Sequence, residues 1–262
     1  METRRDERIG RLAQALKKTD KLHLKDAAQL LGVSEMTVRR DLNADSTCVM
    51  LLGGYVVSDL KNNGVTNYFV SDQQNKQVRE KRAIGVAAAQ LVEANDTVFF
   101  DCGTTIPFII DAIPDELPFT AICYSLNTFL ALQEKKACRV ILCGGEYHPD
   151  NAIFTPLNQR SELDNICPNK AFISAAGIEL NAGATCFNFA ELSMKQRAMA
   201  TAQRIIMVAD SSKFGKIKRA CIGPITLFDT IISDSAPGEP YLRYFANNGI
   251  QLIHAGNQSL SQ

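Results

Sequence analysis

Apolar residues recur at helical spacing from the start of the chain, with Ile9, Leu12 and Leu16 on one face of a segment running from Arg4 to Lys18. Two shorter helical patterns follow, Leu24 to Leu31 and Ser34 to Asn43, separated only by Gly32-Val33. Gly32 tolerates the positive φ that ends one helix, and Ser34 is placed to cap the next by accepting from the backbone N–H of Met36 or Thr37. Val49-Met50-Leu51-Leu52 and Tyr55-Val56-Val57 then flank Gly53-Gly54, a two-residue turn signal for a β-hairpin. Three helices and a hairpin in this order predict a winged helix-turn-helix over residues 1–57.

Between Ser58 and Gln77 the periodicity lapses and Asn, Gln, Asp and Ser gather, so residues 58–77 read as a linker. From Val78 onward helices and strands alternate. Helix Val78 to Val92 leads to strand Thr97 to Asp101, helix Thr105 to Ala112 to strand Phe119 to Tyr124, and helix Leu126 to Gln133 to strand Arg139 to Cys143. Strand Ala171 to Ala175, helix Ala190 to Gln203, strands Ile205 to Ala209 and Thr230 to Ser233, helix Tyr241 to Ala246 and strand Ile250 to Ile253 complete the series. Strands that are apolar on both faces and alternate with helices predict an α/β domain, a parallel sheet covered by helices, over residues 78–262.

Composition narrows the classes of function. With 262 residues, 46% hydrophobic and 21% charged, the chain has material for one large or two modest cores. Its longest apolar runs, such as Thr97 to Phe100 and Phe119 to Ile122, fall far below the roughly 18 residues that span a bilayer, and the mixed charges of residues 1–8 do not read as a secretory signal. A cytoplasmic protein without a membrane partner is expected. Eight cysteines occur with no C-x-x-C pair and only three histidines, so buried, reduced thiols are expected, with no metal and no cofactor. Residues 1–57 carry 10 Lys and Arg against 8 Asp and Glu, and the remainder 18 against 20, an asymmetry that permits nucleic-acid binding without establishing it.

Candidate chemistry falls in two places. In the third helix Val38 and Leu42 face inward, which turns Met36, Thr37 and Arg40 outward with Arg39 on the flank. Arginine can bridge guanine O6 and N7 or clamp phosphates, and Thr37 can meet a thymine methyl or a phosphate. A solvated charged face with Asp41 as the neighbour of Arg39 and Arg40 is the plainer alternative. The second place is Asp101-Cys102-Gly103-Thr104-Thr105, where a strand gives way to a helix. Gly103 allows close backbone approach, Thr104 and Thr105 offer hydroxyls, and the start of a helix presents N–H groups to an anion. Ser125 with Asn127, and Gly144-Gly145, repeat the theme at the next two strand ends, so the three segments could converge on one crevice. Neither the dinucleotide nor the nucleoside-triphosphate glycine motif occurs, which favours a smaller phosphate ester. Lys213, beside serine and glycine at a strand end, is a further anion contact. Glu191 and Lys195, four apart, are either site residues or a surface pair.

Taken together, these residues resemble the DeoR family of bacterial repressors of sugar catabolism. Leu24 to Leu42 with Ser34, Thr37 and Arg39-Arg40-Asp41-Leu42, followed by Gly53-Gly54, is similar to its DNA-binding module. Glu80-Lys81-Arg82, Asp101-x-Gly103-Thr104-Thr105, Ser125-x-Asn127, Gly144-Gly145 and Ser212-Lys213-Phe214-Gly215 are similar to its sensor domain. The resemblance implies operator contacts at Lys25, Ser34, Met36, Thr37, Arg39 and Arg40. It implies an effector site at Asp101, Gly103, Thr104, Thr105, Ser125, Asn127, Gly144, Gly145, Gly177, Glu191, Lys195 and Lys213. A phosphorylated sugar, deoxyribose 5-phosphate, is the implied effector, operators of deoxyribonucleoside-breakdown genes are the implied targets, and a homo-oligomer, a dimer or larger, is implied by two-fold operators. The family's sensor resembles sugar-phosphate isomerases in fold, so an isomerase-like enzyme is the rival reading. Many members carry Asp before the glycine corresponding to Gly177, where this chain has Ala175-Ala176-Gly177, and losing a carboxylate there weakens that rival. An adaptor that uses the winged helix for protein contacts is a third reading, with no feature in its favour beyond the weak net charge.

Overall fold

A computed structural model describes residues 4–16, 19, 22–42, 49–52, 54–58 and 77–257. The chain divides into two compact units, residues 1–68 and 69–262. Of the expected linker over 58–77, residues 59–76 lie outside the described residues, as do the ends of the first and third helices at Lys17-Lys18 and Asn43, Cys48 and Gly53.

In the first unit α1 (Arg4–Leu16), α2 (Leu24–Leu31) and α3 (Glu35–Leu42) pack on a three-stranded antiparallel sheet. Its strands are β1 (Leu22–His23), β2 (Val49–Leu52) and β3 (Tyr55–Ser58), in the order β1-β3-β2. Ile9, Leu12 and Leu16 of α1 meet Leu24, Ala27, Ala28 and Leu31 of α2, Val38 and Leu42 of α3, and Val49 and Val56 of the sheet in one apolar core. Leu52 faces Tyr55 across the hairpin, so the turn has the two residues expected. Gly32 ends α2 at φ 67, and the Ser34 hydroxyl accepts from the Thr37 N–H at 3.2 Å. The short strand β1 is an addition to the sequence reading: Leu22 and His23 pair with Val56 and Tyr55, and the His23 ring caps α2 by accepting from the Lys25 N–H at 3.3 Å.

The second unit is built on a seven-stranded parallel sheet. Its strands are β4 (Thr97–Phe100), β5 (Phe119–Cys123), β6 (Cys138–Leu142), β9 (Lys170–Ser174), β12 (Arg204–Val208), β14 (Thr230–Ser233) and β15 (Gln251–His254). Their spatial order is β15-β14-β12-β9-β4-β5-β6. One face carries Val98, Phe100, Ala121 and Val208 against Ile84, Ala87 and Ala88 of α4 (Val78–Ala89), Ile106, Ile109 and Ile110 of α5 (Ile106–Ala112), and Leu132 of α6 (Leu126–Leu132). The opposite face carries Phe99, Ile122, Ala171, Ile173 and Met207 against Met194 and Ala198 of α7 (Leu192–Thr201) and Phe245 of α8 (Glu239–Asn247). This is the three-layer α/β architecture that the strand patterns predicted.

Two small antiparallel pieces escaped the sequence pattern. Strands β7 (Glu146–His148) and β8 (Ile153–Thr155) form a hairpin, and β10 (Gly177–Glu179), β11 (Gly183–Cys186) and β13 (Ala220–Gly223) form a second sheet.

From β4 the chain steps outward through β5 to β6, then returns to place β9 on the other side of β4 and steps outward again through β12, β14 and β15. The order therefore reverses between β4 and β9. Loops leaving the carboxyl ends of those two strands diverge to opposite sides, which opens a crevice there.

Candidate functional site

On the first unit, α3 turns a polar face outward. Met36 is 75% exposed, and Arg39, Arg40, Ser34 and, on α2, Lys25 are exposed as well. Thr37 is half-buried because its hydroxyl lies 3.0 Å from that of Ser34 at the start of the helix. Asp41 is not the neighbour that offsets Arg39 and Arg40. It is buried, its carboxylate accepts from Arg8 Nε at 2.7 Å, and its carbonyl accepts from Arg5 Nε at 3.2 Å. Among the described residues Arg39 and Arg40 have no acidic partner, so their full charge faces outward. A helix anchored on its inner face and carrying unpaired guanidinium groups outside is suited to a polyanion.

On the second unit, a cavity of about 210 Å³ opens at the reversal between β4 and β9. Its wall contains Gly103, Thr104 and Thr105 from the turn after β4, Ala175 and Ala176 after β9, Asp210 and Lys213 after β12, and Glu191 from the single turn before α7. A Cβ on residue 103 would overlap the Ser174 side chain, so only glycine lets the turn lie against the end of β9. Ile106 N–H bonds back to Gly103 O at 3.0 Å, which closes the turn, while the N–H groups of residues 103–105 donate to no other described residue. Lys213 is fixed by its own turn: Asp234 accepts from Ser211 N–H at 2.6 Å and from its hydroxyl at 2.9 Å, and Asp210 accepts from Ser212 N–H at 3.1 Å. Lys213 Nζ lies 3.5 Å from Asp210 and remains partly exposed. Lys216 and Lys218 stand with Lys213 around an adjoining open depression, so the approach to the cavity is positively charged.

Two expected contact residues sit beneath the cavity instead of on its wall. Asp101 and Lys195 are both fully buried and form an ion pair with each other. Asp101 also accepts from the Tyr124 hydroxyl at 2.7 Å, the Ser174 N–H at 2.8 Å and the Ser174 hydroxyl at 2.6 Å, which leaves neither oxygen for a ligand. Lys195 Nζ donates to Ser174 O at 3.1 Å and lies 3.5 Å from Glu191, so Glu191 and Lys195 are not a surface pair. Burial would raise the pKa of Asp101, yet the Lys195 ammonium and the bonds from Lys195 and Ser174 outweigh it and hold the carboxyl below its ordinary value. Burial acts in the same direction on Cys102 and, reinforced by the Asp101 charge and without an equal offset from Lys195, pushes that thiol well up, so it stays protonated.

The three strand ends do not converge as expected. Ser125 is wholly buried, Asn127 lies in the first turn of α6, and neither borders the cavity. Gly144 and Gly145 also lie away from it; a Cβ at 145 would strike Thr155 O, so that glycine serves the close pairing of β7 with β8. Gly177 starts β10 and abuts the backbone of Lys216.

The sequence reading missed Asn151, Ser174, Asn188 and Asp210 on the wall, and Lys81 close by. Lys81 is buried on α4; burial lowers its pKa to about 8, opposed by the Asp210 carboxylate and reinforced by the Lys213 ammonium. Its spacing of three and seven from Ile84 and Ala88, on the inward face of α4, was the signal that could have found it.

Residues 8–59 match the profile described as the DeoR-like helix-turn-helix domain, and residues 76–235 match the DeoR C terminal sensor domain. The chain is 56% identical over 254 residues, 97% of its length and 100% of the relative's, to the deoxyribose operon repressor of Escherichia coli strain K12. It is 28% identical to the HTH-type transcriptional regulator IolR of Bacillus subtilis strain 168, over 90% of this chain and 94% of that one. Among solved structures, ribose 5-phosphate isomerase A from Methanocaldococcus jannaschii aligns with 51% of this chain and 53% of its own at a TM-score of 0.39 and 15% identity.

Proposed function

The chain belongs to the DeoR family of DNA-binding regulators, and from that premise we propose that it represses genes of deoxyribose and deoxyribonucleoside breakdown and leaves their operators when deoxyribose 5-phosphate binds. The observation that carries the reading is the likeness, continuous across both units, to a deoxyribose operon repressor. Residues 1–57 act as the DNA-binding domain, 58–77 as the linker and 78–262 as the sensor. Arg39, Arg40, Met36 and Thr37 meet the operator from α3, with Ser34 and Lys25 on flanking phosphates. The phosphate of the effector is held by the N–H groups of residues 103–105 and the ammonium of Lys213, with the threonine hydroxyls beside it. Glu191 accepts from a sugar hydroxyl. The protein works in the cytoplasm as a homo-oligomer, a dimer at least, since two-fold operators require paired recognition helices; among the described residues no helix is long and apolar enough to cross a membrane.

An isomerase needs a base and an acid placed on either side of the reacting carbons. Asp101 is wholly engaged beneath the wall, residues 175 and 176 are alanines, and Asp210 is tied to its own turn. Glu191, the carboxylate left on the wall, lies 3.5 Å from Lys195 Nζ and in this reading accepts from a sugar hydroxyl, so the site binds a sugar phosphate without turning it over.

The test is the affinity of the full-length protein for a labelled operator fragment, with and without ligand. Deoxyribose 5-phosphate is expected to lower it, whereas glucose 6-phosphate and unphosphorylated deoxyribose leave it unchanged. Constant operator affinity at saturating deoxyribose 5-phosphate refutes the effector assignment.

A further inference from the structure

Asn151 stands at the tip of the β7–β8 hairpin, 8% exposed, on the wall of the cavity. Its side-chain Nδ2 is buried and has no hydrogen-bond partner among the described residues. Buried amide donors are nearly always satisfied, so a donor of this kind on a cavity wall calls for an acceptor supplied by whatever the cavity holds.

The backbone fixes where Asn151 points. The next residue, Ala152, is fully buried at φ 53, a left-handed conformation that a non-glycine residue keeps only where its surroundings enforce it. Leu126 N–H donates to Ala152 O at 2.8 Å, Phe154 N–H donates to Tyr124 O at 2.8 Å, and Ser125 bridges to Ile153. These bonds pin the hairpin tip to the carboxyl end of β5.

Lys213, by contrast, follows β12. In the order β5-β4-β9-β12 the two anchors are three strand spacings apart, on the order of 14 Å at about 4.8 Å each. Residues 103–105 follow β4 and, with Lys213, suit the anionic end of a ligand, which then lies over the end of β9, about two strand spacings or on the order of 10 Å from the hairpin tip. The hairpin then offers a neutral donor to the opposite end.

We propose that Asn151 is the specificity-determining residue of the effector site, donating its amide N–H to a sugar oxygen at the end of the effector remote from the phosphate. The inference rests on the sugar-phosphate reading above and deepens it. A neutral donor selects a hydroxyl, ring or carbonyl oxygen, and inorganic phosphate, which fills only the anionic end, does not engage it.

Isothermal titration of the full-length chain with 2-deoxyribose 5-phosphate and with inorganic phosphate tests this. The wild-type protein is compared with Asn151→Ala and with the near-isosteric Asn151→Leu, whose neutral side chain cannot donate. Both variants are expected to lose about five- to twenty-fold in affinity for the sugar phosphate, the effect of one buried hydrogen bond, while affinity for inorganic phosphate stays within about twofold. A thermal melt confirms folding, and if Asn151→Ala is unfolded, Asn151→Leu carries the test. Wild-type affinity for the sugar phosphate in a folded variant overturns the proposal. So does an equal loss for both ligands, which marks a residue that merely shapes the cavity. A wild-type protein that takes up inorganic phosphate but not the sugar phosphate refutes the effector reading itself, and the assignment of Asn151 falls with it.

Discussion

An ammonium group that water never reaches must be solvated by the protein, and Lys195 finds that solvation in Asp101, Ser174 and Glu191. Removing one member strands the other. Lys195→Met leaves a buried carboxylate without its cation and is expected to cost roughly 3–5 kcal/mol in denaturant unfolding. Asp101→Asn added to it should cost less than the sum of the two single changes, because the interaction they share is lost only once. The pH dependence carries its own sign. In the native protein the Asp101 carboxyl is held below its ordinary value, so its contribution is present above that value and is lost as pH falls through the folded pKa. In Lys195→Met the deficit shrinks as pH falls, because protonation discharges the stranded group. None of this was legible in the sequence. Spacing placed Glu191 and Lys195 four apart and put Asp101 at a strand end, but which polar group lies under a wall and which lies on it depends on how α7 packs across the sheet. Gly103, Thr104, Thr105 and Lys213 were legible because strand-end chemistry is local.

Elements were read well where they were long and regular. The helix-turn-helix follows from Ile9, Leu12 and Leu16, from Gly32 and from the Ser34 cap, each of which acts within a few residues. Strand β14 was placed at Thr230–Ser233, as observed. Strands of two or three residues, such as β1, β7, β8 and β10, carry too little periodicity to stand out, and with β7 and β8 the sequence concealed the hairpin that holds Asn151. The burial of Asp41 was hidden for a related reason, since it depends on Arg8, 33 positions away on another helix. That burial sharpens a prediction for α3. With Asp41 turned inward, Arg40 has no acidic partner among the described residues and keeps its whole charge for the operator. Arg40→Ala is expected to cost roughly 1–3 kcal/mol of operator affinity. If the side chain reads a base, the loss is confined to operators carrying that base. If it clamps a phosphate, all sequences weaken alike and the slope of log affinity against log salt falls by about one. Fluorescence anisotropy with operator and unrelated duplexes at several salt concentrations separates the two, and unchanged binding on both counts removes Arg40 from the interface.

At the scale of the molecule the decisive feature is the order β15-β14-β12-β9-β4-β5-β6, whose reversal between β4 and β9 creates the crevice. Alternation of strand and helix announced a parallel sheet; the order did not show, because it is fixed by where each crossover lands. In the proposed function an effector crevice in one unit and a recognition helix in the other make the protein a coupling device, and thermodynamics constrains any such device. The effector can shift the protein only by its differential affinity for the free and operator-bound forms, typically about 1–3 kcal/mol, or some 5- to 150-fold. Operator DNA must then weaken effector binding by the same factor. The check is to titrate deoxyribose 5-phosphate into the full-length protein with and without saturating operator, and to compare the ratio of dissociation constants with the ratio of operator affinities measured with and without the sugar. Lys213→Ala separates the links of the chain. It should raise the dissociation constant for the sugar phosphate yet leave operator affinity without sugar nearly unchanged, since the residue belongs to the second unit. Once the higher sugar concentration saturates the variant, the coupling factor should return to the wild-type value if Lys213 only binds. A smaller factor at saturation would mean that the ammonium also distinguishes the two conformations, and unequal factors in the two directions would exclude a single linked equilibrium.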